Sequence, residues 1–158
     1  MDIALITQAI AAASAGVGLI DKISDQISKF VTGRPDPTAS PDCSARITAV
    51  DDTLQLQVNG ETRQTITGAD LAKLPPDKLR HITVLQKAME NHYEIWAEVY
   101  PQRKASSDPI AVARTNQQLK GIIEDMRTEL NGILQFLEDC GMSLDDHYMY
   151  IRDLVNRG

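Results

Sequence analysis

The chain has 158 residues, with 16 Lys+Arg against 22 Asp+Glu and a formal net charge of -6. That length suits one domain able to bury about two thirds of its unfolded surface without a disulfide or metal staple. With 42% hydrophobic and 24% charged residues it is no collagen, disulfide-rich scaffold or wholly disordered chain, and the acidic balance argues against a general nucleic-acid binder.

In chain order, residues 2–33 read as one long helix ending at Gly33. Residues 34–44 carry Pro35, Pro37 and Pro41, which cannot continue a helix and predict a linker or extended arm. Residues 45–67 read as strands. Leu54, Leu56 and Val58 alternate with Thr53, Gln55 and Gln57, Asn59-Gly60 is a hairpin signal, and Asp51-Asp52 marks a second turn. Pro75-Pro76-Asp77 opens a helix whose stripe is Ile82, Leu85, Met89, His92, Trp96 and Val99, stopping at Tyr100-Pro101. Asp108 caps the next helix with Pro109 in its first turn, and Gly141 is placed as its stop. Ser143 is expected to cap a last helix, with the stripe Leu144, Tyr148, Ile151 and Val155. The expected fold is mainly α. It is a helical bundle with a small antiparallel β-hairpin or meander inserted after the first helix, and residues 45–158 form the hairpin plus a three-helix unit of one overall domain.

The first helix is unusual in composition. Residues 3–20 hold no charge and six alanines, with Thr7, Gln8 and Ser14 as the polar members. Eighteen helical residues span roughly 27 Å, close to the hydrocarbon thickness of a bilayer. Small residues recur four apart: Ala9 with Ala13, Ala12 with Gly16, Ser14 with Gly18. Such pairs let helices approach closely in lipid and in tight soluble bundles alike. The segment is therefore a buried central helix, a helix covered in the monomer but released to self-associate or enter a membrane, or a membrane anchor. Ile6, Ile10, Ala13, Gly16, Val17, Gly18 and Ile20 are the candidate self-association or membrane residues.

The run Met1-Asp2-Ile3-Ala4-Leu5-Ile6 through Gly16-Val17-Gly18-Leu19-Ile20-Asp21-Lys22 resembles the start of the HeLo and HeLo-like membrane-disrupting cell-death domains. The resemblance covers about a fifth of the chain and is compositional. It implies a helical domain whose first helix inserts in membranes after oligomerisation.

Signals of catalysis are sparse. His92 lies on an apolar stripe, as a core histidine does, and His147 follows Asp145-Asp146, which suit the positive end of a helix dipole. Glu90, Glu94 and Glu98 form a solvated ridge by their spacing. Cys43 and Cys140 show no metal or nucleophile motif and read as two free intracellular thiols. No nucleophile elbow, dinucleotide fingerprint or phosphate loop is present. The expectation is no enzyme, no cofactor, no metal and no nucleic acid. Instead the chain reads as a non-enzymatic helical effector or assembly protein, a homo-oligomer through its first helix, on or in a membrane in one arrangement. The alternative is a soluble adaptor or regulatory protein that binds a partner protein through Tyr93, Trp96 and Tyr100, aromatics suited to interfaces. No secretion signal is evident, so a cytoplasmic location with membrane association is expected.

Overall fold

The computed structural model describes residues 3–38, 45–105 and 107–157. The elements run α1 (Ile3–Thr32), β1 (Ala45–Val50), β2 (Thr53–Val58), β3 (Glu61–Ile66), α2 (Gly68–Leu71), α3 (Pro76–Val99), a 3-10 turn (Tyr100–Lys104), α4 (Pro109–Asp139) and α5 (Asp146–Asn156). The fold is mainly α, with a three-stranded antiparallel sheet in the order β1-β2-β3 after the first helix.

Local signals set most boundaries. Gly33 takes φ 75 beyond α1, and its N–H returns to Lys29 O at 3.0 Å. Asn59 (φ 55) and Gly60 (φ 81) turn β2 into β3, as a two-residue turn of left-handed residues requires. Leu54 and Leu56 of β2 point into the core while their neighbours are half-buried, the alternation of a one-sided sheet. Asp108 caps α4 by accepting from Ile110 N at 3.1 Å. Gly141 (φ 97) ends that helix, its N–H bonding Glu138 O while Met142 N–H bonds Leu137 O, the paired bonds of a Schellman stop.

Two elements escape the sequence pattern, and one boundary moves. α2 is a single turn closed by a capping box between Thr67 and Asp70. Pro101 does not end the helical path at once, because the chain tightens there into the 3-10 turn. Ser143 does not cap α5. Its N–H donates to Gln64 Oε1 (2.8 Å), Gln64 Nε2 donates to Gly141 O (2.6 Å), and the helix starts at Asp146 with Asp145 in the N-cap position.

α1 is central. It packs along α3 and also touches the sheet, α4 and α5. Its Ile10, Val17, Ile20, Ile23 and Ile27 join Leu54, Ile82, Met89, Met126, Leu130 and Ile151 in one core. Of the proline-rich linker, residues 34–38 run back along α1, while residues 39–44, with Pro41 and Cys43, lie outside the described residues.

Candidate functional site

α1 has two apolar faces. Ile6, Ile10, Ala13, Gly16, Val17 and Ile20, six of the seven positions expected to mediate association, are buried within the folded chain. Gly16 allows a close crossing with α4, since a Cβ there would lie 3.0 Å from Ile133 Cδ1. The seventh, Gly18, is half-buried and borders the opposite face. That outer face carries Ile3 (76% exposed), Ala4, Ala11 and Ala15, all exposed, with the exposed polar residues Thr7 and Gln8 among them and the half-buried Leu19. By length and composition α1 is the one helix among the described residues apolar enough to cross a membrane, yet only 44% of its most apolar 18-residue window is buried.

The aromatic helix faces inward. Trp96 is fully buried, and its Nε1 donates to Gln26 Oε1 of α1 at 2.7 Å. Its ring meets Phe30 edge-on (6.0 Å between centroids) and stacks on Tyr100 (5.2 Å), over which Arg103 lies at 4.2 Å. Trp96 and Tyr100 thus seat the C-terminal half of α1, and of the three residues expected to bind a partner only Tyr93 is half-open, with Lys22 Nζ 6.0 Å from its ring centre. Glu90, Glu94 and Glu98 are exposed, as a solvated ridge should be. His92 is half-buried and faces Glu129 Oε1 of α4 at 3.5 Å.

A polar clasp holds the other side of this half-helix. The chain turns at Gly33 and doubles back. Ser28 Oγ donates to Arg34 O (2.9 Å) and pairs with Tyr150 OH of α5 (2.8 Å), and Asp36 N–H donates to Asp25 Oδ1 (3.0 Å). Hydrogen bonding to Lys29 holds the Asp25 carboxyl below its usual range against a smaller opposing effect of burial. Asp36 is buried, with its side chain 0% exposed, and its Oδ1 accepts from both Thr38 N–H (2.8 Å) and the Thr38 hydroxyl. His147 of α5 completes the clasp. Its Nε2 lies 3.1 Å from Asp21 Oδ1, and its Nδ1 lies 2.9 Å from Thr38 Oγ1 and 3.4 Å from Asp36 Oδ2.

These distances assign the protons. The Thr38 hydroxyl proton points to Asp36, so Thr38 Oγ1 accepts from His147 Nδ1–H, and Asp21 accepts from Nε2–H. With both ring nitrogens donating, the arrangement favours the imidazolium form. Burial works against that charge. The Asp21 hydrogen bond and the attraction of Asp21, Asp36 and Asp145 outweigh it, raising the His147 pKa above its ordinary value. Asp21-His147-Thr38 has the outline of a base-activated nucleophile, but here the Thr38 hydroxyl donates to Asp36. The cluster cross-links α1, the returning segment and α5. Burial raises the carboxyl of Asp145, the α5 N-cap residue, and Tyr148 beside it is pushed up first by burial and then by Asp21 and Asp145.

A cleft of about 900 Å³ opens beside the clasp, lined by Thr38, Arg63, Gln64, Asp145, Asp146 and His147. Among the described residues no group of three His, Cys, Asp or Glu is placed to hold a metal ion. Sequence reasoning missed the clasp. The available signal was Asp21, Ser24 and Ser28, polar residues at helical spacing on a stripe otherwise made of isoleucines. Comparison with protein-family models, with curated proteins and with solved structures finds no match to the chain.

Proposed function

We propose that this chain is a non-enzymatic assembly protein that self-associates through its N-terminal helix, on or beside a membrane. The observation that carries this reading is the exposed outer face of α1, where Ile3, Ala11 and Ala15 stand exposed beside Gly18. A helix that serves only as core turns its apolar residues inward. Here the most apolar stretch of the chain leaves part of itself exposed, and Ala11 and Ala15 there are small enough for a second helix to approach closely. Since the inner face is already packed, association in the closed fold uses the outer face, and the inner residues join only if α1 swings out. The resemblance of this helix to HeLo-like first helices agrees with such a role.

Assembly by the outer face makes thermal unfolding concentration-dependent, because partners that bind only the folded state stabilise it by mass action. The melting temperature by circular dichroism is expected to rise with protein concentration in the wild type. In the double variant Ala11→Arg, Ala15→Arg it is expected to stay constant with the helical spectrum unchanged. A concentration dependence that survives the double variant contradicts the proposal.

A further inference from the structure

The clasp has a single titratable centre for neutral pH, and it joins three segments that are distant in sequence. His147 meets Asp21 from α1, Asp36 and Thr38 from the returning segment, and the N-cap Asp145 of its own helix, with Asp146 next to it in the first turn. The Tyr148 ring lies edge-on at 4.9 Å, and Arg63 is the one cation that the sheet contributes to the adjoining cleft among the described residues. The carboxyl groups gathered around it favour a positive ring. When the ring gives up its Nδ1 proton, the Thr38 hydroxyl can satisfy that nitrogen only by turning its own proton away from Asp36, and the fully buried Asp36 side chain loses its counter-charge.

We propose that His147 is a proton-dependent latch on α1: doubly protonated, it fastens the C-terminal half of the helix to the returning segment and to α5, and the loss of one proton loosens that half. As a control on release of the assembly helix, this rests on the function proposed above. The sign follows from the raised pKa of the folded state. The stabilisation is complete below the ordinary histidine value and is lost as pH rises through the higher folded value. The seat of α1 is therefore tight in mild acid and loosens as pH rises through the raised folded value. One linked proton changes the open fraction by at most about tenfold per pH unit.

The chain has a single tryptophan, and Trp96 is hydrogen-bonded to Gln26 of α1, so its emission reports whether this half-helix is seated. The test is urea unfolding of the full chain, followed by that emission from about pH 6 to about pH 9. The wild-type midpoint is expected to fall as pH rises, and His147→Gln is expected to give a lower midpoint with a flattened slope. Asp36→Asn removes one counter-charge with little change of shape and is expected to weaken the slope. A flat wild-type midpoint, or an undiminished slope in both His147→Gln and Asp36→Asn, overturns the latch. Light scattering on the same samples separates the two ideas. A sloping midpoint with a monomeric mass throughout keeps the latch and removes the assembly reading. A changing mass with a flat midpoint does the reverse.

Discussion

Cys140 occupies the C-cap of α4 and is buried, and burial, then the nearby Asp139 and Asp70 carboxylates, push its thiol up to about 12. At neutral pH its thiolate fraction is on the order of 10⁻⁵, so it should be a poor nucleophile. In a Cys43→Ser background, reaction with a disulfide reagent is expected to be roughly a hundredfold or more slower in the native state than in urea. Equal rates in the two states would show the thiol to be accessible. The residue type alone supported no more than a free thiol, because depth of burial and the two carboxylates come from other elements. His147 illustrates the same limit more sharply. Its partners lie 126 residues away at Asp21 and 109 away at Thr38. The sequence around it shows only Asp145 and Asp146, which do sit at the start of α5.

At the scale of the element, α1 carries two glycines two residues apart in different surroundings. A Cβ on Gly18 meets nothing within 4 Å, while one on Gly16 meets Ile133 Cδ1 at 3.0 Å in a fully buried crossing. Gly18→Ala is therefore expected to stabilise the fold by about 1 kcal/mol through helix propensity. Gly16→Leu is expected to destabilise it by about 1–3 kcal/mol through overpacking against α4. Urea midpoints measure both, and two changes of the same sign would contradict the placement of the faces. The long elements were legible because their ends carry strong local chemistry: Gly33, Asn59-Gly60, Pro76, Asp108-Pro109 and Gly141. α5 began later than its pattern predicts because Ser143 is drawn to Gln64 on β3, a contact between residues 79 positions apart. The return of residues 34–38 along α1 was likewise hidden, since prolines announce a break in a helix but not where the chain goes next.

For the whole molecule, the bundle divides the work of α1 between its ends. Trp96 and Tyr100 on one side and the His147 clasp on the other seat its C-terminal half, where Asp21, Gln26 and Ser28 supply polar partners. The N-terminal half packs through its apolar inner face and presents Ile3, Ala11 and Ala15 outward. The mainly α plan with its small sheet was readable from periodicity, but the covering of one face of α1 and not the other depends on every element packed against it. That asymmetry is the central claim, and its most direct measurement is the molar mass of the full chain by light scattering over two orders of magnitude in concentration, with and without nonionic micelles. The mass is expected to rise above the monomer with concentration while the helical spectrum is unchanged, and to return toward one chain per particle when micelles cover the outer face. A chain that stays monomeric at every concentration and takes up no detergent would contradict it.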